Sequence, residues 1–135
     1  MDCLFCKIAK REIGTEKVWE DSDFFAFLDI KPVNPGHTLV IPKSHYRNIF
    51  DMPEDVLSKM ALAVKKISIA VKDGVEAEGI NIAMNNEPAS GQIVFHAHFH
   101  IIPRYSSDGY KHWVGKPYES DSHMSETLQK IKSVL

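Results

Sequence analysis

His96-Ala97-His98-Phe99-His100-Ile101-Ile102-Pro103-Arg104 sets three of the seven histidines two residues apart, with apolar residues between and after them. No other stretch constrains the fold as strongly. Side chains alternate between the two faces of a β-strand, so a strand here puts His96, His98 and His100 on one face and Phe95, Ala97, Phe99 and Ile101 on the other. One face is then chemical and the other is core. At about 3.3 Å per residue the outer histidines stand roughly 13 Å apart, which excludes one metal ion held by all three. Either the three histidines do different jobs or they form a merely polar face.

The chain has 135 residues, 44% hydrophobic and 25% charged, which suits a single domain over 1–135 with a real core. Sixteen basic against eighteen acidic residues give a net charge of −2 without a basic block. That balance argues against nucleic-acid polymers and anionic membranes as partners, so phosphate recognition has to be local. No stretch approaches the ~20 apolar residues of a membrane span, and the N-terminus lacks the pattern of a secretory signal; a cytoplasmic protein is expected. The only cysteines, Cys3 and Cys6, form a C-x-x-C pair suited to metal ligation or redox chemistry.

Read in order, Ile8–Ile13 suggests a short helical turn ended by Gly14, and 17–20 a first strand. Asp21-Ser22-Asp23 reads as a tight turn. The near-continuous apolar run 24–29 reads as a strand buried on both faces, and 37–42 as a third strand closed by Pro42. Asp51 and Glu54 resemble a capping box for one long helix to Gly74, with Leu57, Met60, Ala61, Val64, Ile67 and Val71 as its apolar stripe. A strand at 80–85 and a loop at 86–92 lead to the histidine run. The tail 105–135 is polar and aromatic, with a helical pattern from Ser125. This order predicts an α+β domain with a mainly antiparallel sheet.

A nucleophilic imidazole needs one nitrogen free and the other pinned through its proton. His98, between two other histidines, is the natural candidate. Gly91-Gln92 ahead of it offers open backbone and an amide for an anionic oxygen.

H-A-H-F-H-I-I resembles the H-x-H-x-H-x-x motif of the histidine-triad (HIT) nucleotide-binding superfamily. Cys3-x-x-Cys6, Phe27-x-Asp29-Ile30, Pro35-Gly36-His37-Thr38-Leu39-Val40-Ile41-Pro42-Lys43-x-His45 and Asn85 through Gln92 extend the likeness in family order over residues 3–104. The resemblance implies a five-stranded antiparallel sheet with one long and one short N-terminal helix, joined across a homodimer into a continuous sheet. It implies a hydrolase in which His98 attacks the α-phosphorus of a purine nucleotide conjugate, such as a phosphoramidate. The His96 carbonyl would hold the tautomer, with His100 and His37 completing the catalytic set. Asn85, Gln92 and His100 would meet the phosphate and leaving group, and Asp29 the ribose. Leu4, Phe5, Ile8, Phe27, Ile30 and Leu39 match apolar walls around the base, although plain core packing explains them equally well. Gly91, Ile93 and Val94 complete the nucleotide-contacting set. Ile93 is a departure, because the family often carries a serine or threonine there whose hydroxyl assists the leaving group. The family's cysteine-bearing members further imply structural zinc on Cys3, Cys6, His45 and His96, against the alternative of two buried thiols; no organic cofactor is expected. Two other functions stay open. One is cleavage of dinucleoside polyphosphates, with Arg104 on a second phosphate, and the other is a nucleotide- or zinc-binding module with little catalysis.

Overall fold

The computed structural model describes residues 2–135. Its elements are α1 (Leu4–Ala9), β1 (Lys17–Glu20), β2 (Phe24–Leu28), β3 (Thr38–Pro42), α2 (Glu54–Gly74), β4 (Gly79–Ala83), a 3-10 turn (Pro88–Ser90), β5 (Phe99–Arg104) and α3 (Asp121–Lys132). The strands form one antiparallel sheet in the order β1-β2-β3-β5-β4.

The apolar run of β2 serves two cores. Phe24 and Ala26 join Val40, Ala97 and Ile101 against Met60, Val64, Ile67 and Val71 of α2. Phe25 and Phe27 join Leu39 and Ile41 on the opposite face, under Cys3, Phe5 and Ile8 of the N-terminal segment. Alternation along each strand sorts the residues between the two layers. His100 pairs with Leu39, which places it on the α1 face.

Several boundaries differ from those read in the sequence, each for a local reason. The first helix is Leu4–Ala9, not 8–13, because Cys3 is its N-cap and its thiol accepts from the Cys6 N–H at 3.5 Å. Arg11, at φ 61°, turns the chain out before Gly14 is reached. Asp51 makes no capping box; its carboxylate accepts from the Arg47 and Asn48 N–H groups, and α2 starts at Glu54 behind Pro53. Ala61 faces outward and Ala63 takes its place in the stripe. The last helix starts at Asp121, because the Ser120 hydroxyl accepts from the His123 N–H at 3.1 Å.

The histidine run enters the sheet only at Phe99. Continuing the β3–β5 register would set Ala97 against Pro42, which has no N–H to give. The Ala97 N–H goes instead to the Tyr46 carbonyl at 2.7 Å. Ala97, Phe99 and Ile101 still pack toward α2, whereas Phe95 lies outside that core beneath the Arg47 guanidinium, 4.3 Å from its ring centre.

Gly36 has φ +101°, and a Cβ there would lie 3.0 Å from Val75 Cγ1. Gly36→Ala therefore adds strain and a clash in the turn that delivers His37 and β3. A loss of about 2 kcal/mol is expected, read as a lower urea midpoint at unchanged m-value.

Candidate functional site

Backbone partners fix the proton on each motif histidine, since a carbonyl can only accept and an N–H can only donate. His96 directs Nε2 to the Pro42 carbonyl at 2.8 Å, so Nε2 carries the proton and Nδ1 keeps its lone pair. His98 directs Nδ1 to the His96 carbonyl at 2.7 Å, leaving Nε2 as the free lone pair. His37 Nδ1 accepts from the Val33 N–H at 3.1 Å, so its Nε2–H donates to His100 Nδ1 at 2.9 Å. His100 consequently holds its own proton on Nε2. His98 and His100 stack edge to face at 4.9 Å, and Phe5 lies perpendicular to His98 at 5.0 Å. One imidazole offers a lone pair and its neighbour offers a proton.

The His96 lone pair points into a second cluster. Its Nδ1 lies 3.5 Å from the sulfurs of Cys3 and Cys6 and 3.2 Å from His45 Nδ1, and Cys6 Sγ is 3.4 Å from His45 Nδ1. Ligands at about 2.3 Å (sulfur) and 2.0 Å (nitrogen) around a tetrahedral ion are separated by roughly 3.3 to 3.8 Å. The four donors are of the type zinc takes, lie within 4.8 Å of one another and, in the four pairs just given, stand near that spacing. Asp29, His37 and His100 also converge, with 3.8 Å between Asp29 Oδ2 and His37 Nε2. Their tautomers oppose ligation, because a metal on His37 Nε2 would force a proton onto Nδ1 against the Val33 N–H.

The other residues singled out in the sequence separate into distinct places. Asp29 accepts from the Lys31 N–H through Oδ1 and keeps Oδ2 toward His37. Asn85 lies beside Gly91, whose φ is +98°. Phe5, Ile8, Phe27 and Leu39 are buried in the α1-face core with Val94 against it. Leu4 is half exposed, while Ile30 and Ile93 stand in solvent at 90% and 86% exposure. Gln92 corrects an expectation. It is 4% exposed and its amide is saturated: Oε1 accepts from Glu87 N–H and Asn48 Nδ2, and Nε2 donates to the Arg47 and Val94 carbonyls. Its side chain ties the loop together and has no hydrogen bond left for a phosphate. Arg104 is a second correction. Its guanidinium holds both Asp108 oxygens, Asn81 Oδ1 and the Tyr110 carbonyl, so it is not free for a second phosphate. The Pro42 carbonyl and the Val33 N–H left no trace in the residue pattern, because backbone groups carry no residue-type signal. Arg47, Asn48 and Glu87 were visible only as ordinary polar loop residues.

Burial pushes the imidazoles below their ordinary value of 6.5. His96 and His100 fall to about 4, and His37 and His98 shift the same way, opposed by the Asp29 charge. Neutral His98 is the form with a free lone pair, so any reaction it performs should be insensitive to pH from 8 to about 6.5 and decline only below that. Stability follows the same sign: between 6.5 and about 4 the unfolded chain binds more protons than the folded one, so stability falls as pH falls through that window. A kcat/KM profile already falling above pH 7 on the acid side would contradict this. No helix among the described residues is long and apolar enough to cross a membrane.

A sequence model of the HIT domain matches residues 10–107. Adenosine 5'-monophosphoramidase HNT1 of Candida albicans is 41% identical over 106 residues, 76% of this chain and 70% of that protein. Among solved structures, SMU.412c of Streptococcus mutans superposes with a TM-score of 0.92 at 40% identity, covering 98% of this chain and 84% of the other. A zinc-bound histidine triad family protein from Mycobacterium smegmatis superposes with a TM-score of 0.78 at 35% identity, covering 100% and 99%.

Proposed function

Because the chain belongs to the HIT domain family, we propose that it is a nucleotide-binding hydrolase that cleaves nucleoside monophosphate conjugates, phosphoramidates above all, through a nucleotidyl adduct on His98. The observation that carries this is the 2.7 Å bond from His98 Nδ1–H to the His96 carbonyl, which leaves Nε2 as a nucleophile beside the Nε2–H of His100. His98 Nε2 attacks the α-phosphorus as the bond to the leaving nitrogen breaks, and the His96 carbonyl stabilises the imidazolium that forms. His100 gives its Nε2 proton to the leaving amine. Water then attacks phosphorus as the phosphorus–histidine bond breaks, its proton passing to His100 Nε2, which releases the monophosphate and restores both histidines.

Asp29 takes the ribose hydroxyls, and Asn85 and the Gly91 backbone meet the phosphate. Phe5, Ile8, Phe27 and Leu39 back a purine base, with Leu4, Ile30, Ile93 and Val94 at the open side. Cys3, Cys6, His45 and His96 would hold a structural zinc ion, which ties the N-terminal helix to the segment carrying the nucleophile. Thiol ligands of this kind suit the reducing cytoplasm. The protein acts as a homodimer. What supports this is an apolar groove of about 390 Å³ between α2 and the edge strand β4, lined by Ala61, Val64, Ile69, Ile80, Ile82 and Phe99.

The test is a panel of adenosine and guanosine phosphoramidates, an acyl adenylate and dinucleoside tri- and tetraphosphates. Phosphoramidates should turn over fastest. Dinucleoside polyphosphates lose their support with Arg104 engaged by Asp108. Ile93, where a hydroxyl would assist the leaving group, favours the second reading, a nucleotide-binding module. Tight monophosphate binding with negligible turnover across the panel would decide for it.

A further inference from the structure

Glu87 opens the loop that carries Gly91, and its backbone sits at φ 76°, ψ 157°, a region occupied essentially by glycine alone. A residue with a side chain persists there only if its surroundings hold it. Arg47 forks onto the carboxylate, Nε to Oε1 at 3.1 Å and Nη2 to Oε2 at 2.7 Å. Asn48, 1% exposed, adds its amide to Oε1 at 2.9 Å. The Glu87 N–H donates to Gln92 Oε1 at 2.8 Å, and Gln92 Nε2 returns to the Arg47 carbonyl at 2.7 Å. Arg47 is itself held, through its N–H by Asp51 and through its guanidinium by the Phe95 ring. The ring of contacts closes across the base of the loop.

We propose that Arg47 and Glu87 form a matched positioning pair: the Arg47 fork, with Asn48, pins Glu87 in a glycine-type conformation and so sets the Asn85–Gln92 loop for a substrate phosphate. The phosphate in this statement rests on the nucleotide reading above; the clamp itself does not. An exposed ion pair normally adds little. Here it offsets backbone strain, so its loss is felt at the loop rather than at the surface. Arg47 also holds the Glu87 carboxyl down to about 2, so the pair stays charged at neutral pH.

The two roles separate by rescue. Arg47→Met should speed amide exchange over residues 85–92 by about tenfold and weaken AMP binding, measured by calorimetry, by a similar factor. Glu87→Ala keeps the strain and loses the clamp, so it should do the same. Glu87→Gly removes the strain, and Arg47→Met combined with Glu87→Gly should recover most of the loss in both readouts. A double variant as impaired as Arg47→Met, or an Arg47→Met loop that exchanges like the wild type, overturns the pair. A general loss of folding would lower the melting temperature without recovery by glycine, and that also overturns it. If the wild-type protein binds no AMP, the nucleotide reading fails, while loop exchange still decides the clamp.

Discussion

His98→Ala should lower kcat on an adenosine phosphoramidate by at least about 10³-fold while AMP affinity stays within a few-fold of the wild type. Removing a nucleophile abolishes the covalent route, and what survives is only binding and electrostatic assistance. The expectation follows from the tautomer. His98 gives its Nδ1 proton to the His96 carbonyl at 2.7 Å and has no other acceptor to satisfy, so its Nε2 is the open lone pair of the triad. His96 cannot substitute, because its Nε2 proton is spent on Pro42 and its Nδ1 faces the cysteines. His100 cannot either, because its Nδ1 is occupied by His37. The fold should survive: His98 packs against Phe5, but its ring carries no long-range backbone contact. His98→Ala protein that turns over at a tenth of the wild-type rate or more would remove His98 as nucleophile.

Protein purified without chelator should contain about one zinc ion per chain, and Cys6→Ser should lose it and melt more than about 10 °C lower. The large effect comes from what the site joins. Cys3 caps α1 and Cys6 lies within it, His45 follows β3, and His96 precedes β5. Turnover should fall too, because the residue that offers its ring to the ion also offers its carbonyl to His98. Metal analysis and calorimetry on the same preparation check both statements. Metal-free protein of undiminished stability would return the cysteines to plain core residues.

What could be read in the sequence was whatever residue type and periodicity encode. The two-sided burial of 24–28 followed from an unbroken apolar run, and the spacing of His96, His98 and His100 excluded one metal ion held by all three. The strand boundary at Phe99 did not follow in this way, because it depends on where Pro42 would fall in the β3–β5 register, opposite Ala97. Asp51 illustrates the same limit: D-x-x-E looks like a capping box, yet the carboxylate closes the turn before the helix. Gln92 and Arg104 are the instructive misses at the site. Both have the right chemistry for phosphate, and both have spent it on the protein, Gln92 on Arg47, Asn48 and Glu87, and Arg104 on Asp108 four residues later. Hydrogen-bond saturation belongs to the folded chain and leaves no trace in composition.

In the proposed reaction the nucleotidyl group passes covalently through His98. The most direct measurement is rapid acid-free quenching of wild-type protein during turnover of a labelled adenosine phosphoramidate, followed by peptide mapping of the adduct. One adenylyl group on the peptide containing residues 96–100, localised to His98 and absent in His98→Ala, is the expected result. Turnover at full rate with no adduct, or an adduct localised to His100 or His37, would contradict it.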